Sequence, residues 1–105
     1  MDTNKQIQEM QFLEQNLQNL MLQKQAFQME LAETKSALKE IESAGEEVFK
    51  IIGQLMIKTD KSKMKDELSN KQKILDLRTK SIEKQEKNLT EQLDKIREQI
   101  MKTKK

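Results

Sequence analysis

The chain has 105 residues, of which 36% are charged, 34% hydrophobic and 3% aromatic. That is too little apolar surface for an ordinary globular core, and a net charge of +2 does not by itself indicate a nucleic-acid or membrane partner. His, Cys, Trp and Tyr are absent, which removes the commonest general base, thiolate nucleophiles and the usual zinc ligands, so no enzyme activity, metal or cofactor is expected.

The charges are mixed in sign and the apolar residues are periodic, which points to long solvated helices rather than disorder. With no Pro and only Gly45 and Gly53, nothing breaks a helix outside the centre, and no phosphate-cradling loop is available. No apolar stretch approaches the roughly 18 residues of a membrane span. Met1-Asp2-Thr3-Asn4-Lys5 lacks a basic stretch leading into an apolar one, so a cytoplasmic location is expected. Residues 1–105 are expected to form one structural unit.

The first helix is expected over 4–43, capped by Asp2, Thr3 or Asn4. Apolar residues recur at three- and four-residue steps. Met10, Leu17, Lys24, Leu31 and Leu38 occupy a positions, and Leu13, Leu20, Phe27, Thr34 and Ile41 occupy d positions. Gly45 is expected as the left-handed residue that ends this helix.

A hairpin is expected over 46–59. Strands at Val48–Ile52 and Leu55–Thr59 flank Gly53-Gln54, and Gly at the first central position suits a type II′ turn. Ile52 then faces Leu55, Ile51 faces Met56 and Lys50 faces Ile57. Val48, Ile52, Leu55 and Ile57 share one face; Phe49, Ile51 and Met56 share the other. A lone two-stranded hairpin is marginal in water, and its open edges invite pairing. Apolar residues on both faces therefore call for strands from other chains.

The second helix is expected over 60–103, capped by Thr59 or Asp60. Leu68, Leu75, Ile82, Leu89 and Ile96 repeat every seventh residue, with Leu93 and Ile100 joining later. The other half of this seam, Lys65, Gln72, Thr79 and Glu86, is polar. Glu67/Lys71, Glu83/Lys87, Glu91/Lys95 and Glu98/Lys102 have the order that favours ion pairs one turn apart.

The two seams fit an antiparallel coiled coil in which facing positions sum to 106: Met10/Ile96, Leu13/Leu93, Leu17/Leu89, Leu31/Leu75 and Leu38/Leu68. That register folds the chain back at Gly53. It leaves Lys24 and Glu86 one layer apart, within reach of a diagonal pair. Two readings stand: these long side chains snorkel out of a thin seam, or they fix its register.

Beyond the seam, Ile7, Phe12, Met21, Leu22, Met29 and Met101 are apolar. Single exposed apolar residues are ordinary. Met-rich apolar surfaces also bind varied partners because they re-pack, and in the antiparallel arrangement both chain ends meet far from the hairpin.

The run Val48-Phe49-Lys50-Ile51-Ile52-Gly53, followed by Leu55-Met56-Ile57-Lys58, resembles the hairpin of prefoldin β-type subunits (the GimC family). Ser43-Ala44-Gly45-Glu46 after the first helix and Leu68 early in the second seam are similar too. Phe49 stands where this family more often has Tyr. The resemblance covers nearly the whole chain, and one hairpin matches the β-type rather than the two-hairpin α-type.

The resemblance implies a mostly α fold, a long two-helix coiled coil whose central β-hairpin joins an intermolecular β-barrel. It implies an α2β4 heterohexamer with an α-type subunit. Such a chaperone captures non-native polypeptides at its coiled-coil tips without ATP and delivers them to a group II chaperonin. It implies assembly through Val48, Phe49, Ile51, Ile52, Gly53, Leu55, Met56 and Ile57. It implies client contact through Ile7, Met10, Phe12, Leu13, Ile96, Ile100 and Met101. Two alternatives are a passive coiled-coil tether, which leaves the apolar hairpin without a purpose, and a nucleic-acid-binding arm. The latter is disfavoured by 20 basic and 18 acidic residues interspersed.

Overall fold

A computed structural model describes residues 3–103. The chain runs α1 (Thr3–Glu42), β1 (Glu47–Ile52), β2 (Leu55–Asp60) and α2 (Lys61–Thr103). The fold is mostly α: two long helices with a β-hairpin between them. Contacts group the residues into two compact units, one of Phe27–Arg78 and one that joins residues up to Ala26 with those from Thr79 on.

Within the unit Phe27–Arg78, β1 and β2 pair antiparallel from Glu47↔Asp60 to Ile52↔Leu55, with Ile51↔Met56 and Lys50↔Ile57 between. Gly53 has φ +60, and no described residue other than glycine has positive φ. A positive φ at the first central position with a negative one at Gln54 fits a type II′ turn and excludes type I′. Nothing lies within 4 Å of a Cβ built on Gly53, so backbone conformation rather than space requires glycine there.

The end of α1 differs from the sequence expectation. Gly45 does not adopt the left-handed conformation. The last carbonyls of α1 are satisfied by other donors: the Ser43 amide donates to Glu40 O and the Ala44 amide to Ile41 O, both at 3.2 Å. The Lys61 ammonium donates to Glu42 O and Ala44 O, each at 3.1 Å. A cation at a helix C-terminus meets both the free acceptors and the negative end of the helix dipole. At the start of α2, Asp60 Oδ1 accepts the Lys63 amide at 2.8 Å. Of the two candidate caps, Asp60 fills the role and Thr59 stays in β2. Thr3 and Asn4 lie inside α1; Asp2, the remaining candidate cap, lies outside the described residues.

Leu75 is the most deeply buried side chain of this unit at 2% exposure, and Ile41 and Thr34 are also buried. Thr34 Oγ1 donates back to Glu30 O at 2.8 Å, which satisfies the hydroxyl without a partner across the seam. The Arg78 guanidinium lies 5.9 Å from the centre of the Phe27 ring, within cation–π range.

In the other unit, Leu13, Leu93, Ile96 and Ile100 form the buried cluster, with Ile7, Met10, Leu17 and Leu89 packed against it. Met10/Ile96, Leu13/Leu93 and Leu17/Leu89 are layers of the 106 register; Ile7 joins them from outside the seam. Gln6 is also buried and its amide donates to Gln99 Oε1 at 3.4 Å. It occupies the d position one heptad before Leu13, which the sequence reading did not include because the residue is polar. On the outside, the Arg97 guanidinium lies 3.3 Å from Glu14.

The Lys24 ammonium lies 2.9 Å from Glu86 Oε1, and both side chains are partly buried. The hydrogen bond to Glu86 raises the Lys24 pKa above the ordinary lysine value; desolvation opposes this. Among the described residues, none of the four ion pairs expected one turn apart on α2 closes to 4.0 Å. Glu67 instead meets Lys50 of β1 at 2.8 Å. Exposed pairs on one helix gain little Coulomb energy and cost side-chain entropy, so they do not hold one geometry.

Candidate functional site

Two surfaces carry the residues singled out in the sequence, and each is built by a different device. The first is the hairpin. Strong β-formers, Val48, Phe49, Ile51 and Ile52 on β1 and Ile57 on β2, fill a pleated ribbon on which successive side chains alternate between faces. Val48, Ile52, Leu55 and Ile57 lie on one face with Lys50 and Thr59. Phe49, Ile51 and Met56 lie on the other with Glu47, Lys58 and Asp60.

Among these, Phe49, Ile51, Ile52, Leu55, Met56 and Ile57 are all exposed, Ile51 to 70%. Of the apolar residues, only Val48 is half-buried. Val48 and Phe49 line a recess of about 290 Å³ with Ala37, Ile41, Met64 and Leu68, so the base of the hairpin is seated on the helices while its remainder is bare. The strand order is β1-β2 alone, which leaves an outer edge on each strand.

Exposed salt bridges border this ribbon without covering it. Lys58 meets Glu47 across the strands at 2.9 Å, Lys50 meets Glu67 of α2 at 2.8 Å, and Lys65 of α2 meets Glu42 of α1 at 2.6 Å. The Lys65 hydrogen bond holds the Glu42 carboxyl below the usual glutamate range. The hairpin is thus seated on the helices at its base and has an apolar body open to other strands.

The second surface lies in the unit that contains both ends of the described chain. The seven candidate client-contact residues divide into three groups there. Leu13, Ile96 and Ile100 are buried in the seam, and Ile7 and Met10 pack against them. Phe12 and Met101 stand outside, at 63% and 73% exposure. Ile7, Met10, Ile100 and Met101 together line an apolar recess of about 340 Å³ beside Arg97. Phe12 is not part of it.

Met21, Leu22 and Met29 are exposed as well. Ile74 and Leu77 of α2, which the sequence reading passed over, are exposed apolar residues. Their signal was available: both fall outside the a and d positions of an otherwise regular seam. Among the described residues, no group of three His, Cys, Asp or Glu side chains is placed to hold a metal ion. No described helix is long and apolar enough to cross a membrane.

A helical hairpin whose central β-ribbon exposes apolar side chains on both faces defines a class of chain that carries strands on a two-helix support. Residues 4–105 match the family described as prefoldin subunit. Over 66 residues the chain is 44% identical to prefoldin subunit beta of Thermococcus onnurineus (strain NA1), covering 61% of this chain and 57% of that protein. Over 74 residues it is 36% identical to prefoldin subunit beta of Sulfurisphaera tokodaii, covering 69% of this chain and 59% of that protein. The chain thus matches less than two thirds of the length of these relatives.

The crystal structure of the prefoldin beta subunit from Thermococcus strain KS-1 superposes with a TM-score of 0.87 at 38% identity, covering 96% of this chain and 90% of that one. The beta2 subunit from the same strain shares the fold, with a TM-score of 0.74 at 18% identity, covering 83% and 95% of the two chains. The chain belongs to the prefoldin subunit family, and within it to the β-type.

Proposed function

We propose that this chain is a structural subunit of an ATP-independent molecular chaperone, with no enzyme activity of its own. The observation that carries this reading is the hairpin: a ribbon with six large apolar side chains exposed on its two faces. Open strand edges and apolar faces of this kind are stabilised by adding strands. The assembly residues are Val48, Phe49, Ile51, Ile52, Leu55, Met56 and Ile57, with Gly53 holding the turn. Their partners are further copies of this chain and an α-type subunit, in an α2β4 hexamer whose hairpins close an intermolecular β-barrel. In that assembly residues 1–105 act as one subunit.

Non-native polypeptides are captured at the helical end bearing Ile7, Met10, Phe12, Leu13, Ile96, Ile100 and Met101, and are passed to a group II chaperonin in the cytoplasm. The apolar recess beside Met101 supports this assignment, with Phe12 as an outlying contact. Leu13, Ile96 and Ile100 take part when the seam parts to admit a client.

The deciding experiment is the native mass of the complex that co-purifies from the source organism with a tagged copy of this chain. Four copies of this chain with two of a two-hairpin partner are expected. A lone monomer or dimer overturns the assembly and favours a passive coiled-coil tether. With the complex in hand, Ile7→Ser, Phe12→Ser and Met101→Ser combined should abolish suppression of client aggregation; full retention overturns the assignment of the helical end.

A further inference from the structure

In a chain that is 36% charged, one recess of about 450 Å³ is lined without a single charged side chain. Its rim carries five carboxamides: Asn16, Asn19 and Gln23 of α1, and Gln85 and Asn88 of α2. Three of the five Asn residues of the chain stand here. Asn is a poor helix former, since its side chain competes for backbone hydrogen bonds. Three of them in helix interiors are a cost that the coiled coil itself does not require.

The floor of the recess is Leu20 and Leu89. Both are half-buried seam leucines, as Met10 and Leu17 of the same unit are, while Leu13, Ile82 and Leu93 are buried. At Leu20 the residue opposite is polar. Glu86, which faces Leu20 in the 106 register, is engaged by Lys24 at 2.9 Å, so no apolar side chain closes over Leu20. The ion pair leaves a gap in the seam, and the gap is rimmed by neutral donors and acceptors over an apolar floor.

We infer that this carboxamide-rimmed recess is a binding site for an extended segment of non-native polypeptide. The inference rests on the chaperone reading above and locates a contact apart from the apolar end. Carboxamides are chemically peptide groups. They donate to free backbone carbonyls and accept from free backbone amides, the groups that an unfolded chain leaves unpaired. The floor takes an apolar side chain of the same segment. The electrostatic match is one of neutrality: a peptide backbone with apolar side chains loses no ion hydration on entering, whereas a charged ligand meets no counter-charge in the lining and remains in water.

The test uses the full chain in its native assembly and fluorescent insulin B chain, released by reduction, as the unfolded probe. Asn19 and Asn88 are exposed, so Asn19→Lys with Asn88→Lys puts charge on the rim without disturbing the buried cluster. This variant is expected to weaken probe binding about tenfold, while Asn19→Gln with Asn88→Gln retains it. A photo-crosslinking side chain at Gln85 is expected to capture the probe. Equal probe affinity in the lysine variant, with binding lost on Ile7→Ser, Phe12→Ser and Met101→Ser, overturns the inference and leaves the chaperone reading standing. Crosslinks from Gln85 to a second copy of this chain overturn it in favour of a subunit contact. Absence of probe binding by the unaltered assembly overturns both readings.

Discussion

The ammonium of Lys24 and the carboxylate of Glu86 meet at 2.9 Å inside a helix seam, one layer apart in the 106 register. The pair satisfies both charges, yet puts no apolar side chain opposite Leu20 or Ile82. Replacing a partly buried pair with apolar residues of similar volume is often stabilising, and removing one partner is not. Lys24→Leu with Glu86→Leu is therefore expected to raise the melting temperature, and Lys24→Leu alone to lower it. If the pair sets register, the double variant also forms extra pairing states, visible as additional species in native mass spectra. An unchanged melting temperature in the double variant counts against this account. The pH dependence has a definite sign. The folded Lys24 pKa is raised above its ordinary value. Its contribution is complete below the unfolded lysine pKa of about 10.4 and is lost as pH rises through the folded one. The unaltered chain should lose stability there more steeply than the double variant.

Leu75 and Leu93 are each only 2% exposed, and they lie in different units. Truncating a buried leucine loses its transfer free energy and leaves a cavity. Leu75→Ala and Leu93→Ala are each expected to cost about 2–5 kcal/mol, read from denaturant unfolding followed by helix circular dichroism at fixed chain concentration. Leu77 is two-thirds exposed, and Leu77→Ser should stay within about 0.5 kcal/mol. A comparable loss at Leu77 would mean that its surface is covered in the assembly.

The hairpin was legible in the sequence residue by residue, because strand alternation and the conformational demand of Gly53 are local and admit one register. The seam was legible because heptads repeat. What escaped was set by partners distant in sequence. The local pattern points to Gly45 as the cap, but Lys61 meets these carbonyls from across the connection, and no local rule anticipates that ammonium. Gln6 was passed over because a polar residue at a d position is recognised only once Gln99 is seen beside it. The closure of Lys24 on Glu86, opposite half-buried Leu20, is indicated by the sequence only as a diagonal possibility. The candidate client residues were legible as apolar. Their division into seam and surface depends on side-chain packing that periodicity alone leaves open.

The two glycines make opposite predictions from one physical argument. Gly53 holds φ +60, and a side chain there is strained by about 1–2 kcal/mol, so Gly53→Ala should destabilise the hairpin and shift the assembly toward free subunits. Gly45 has no positive φ, and nothing lies within 4 Å of an added Cβ. Gly45→Ala reduces the freedom of the unfolded chain at no steric cost, and should stabilise by about 0.4–1 kcal/mol. Thermal unfolding of the two variants side by side checks both signs. Destabilisation by Gly45→Ala would restore the left-handed cap.

Acid should loosen the junction between the helices through Glu42. Lys65 approaches it at 2.6 Å, and this hydrogen bond holds the Glu42 carboxyl below its ordinary range. A carboxylate whose folded pKa is depressed contributes stability above the unfolded value, about 4.3 for glutamate. That contribution is lost as pH falls through the folded pKa. Between pH 7 and about 5 the pair should be insensitive to pH, and below that range the unaltered chain should lose stability faster than Glu42→Gln, which has no carboxyl to protonate. The effect is modest, because both side chains are substantially exposed and salt screens them. Raising ionic strength should therefore narrow the difference between the two proteins, with amide exchange at Ser43 and Ala44 as the local readout. Equal acid sensitivity in both proteins would mean that other carboxylates govern this end of α1.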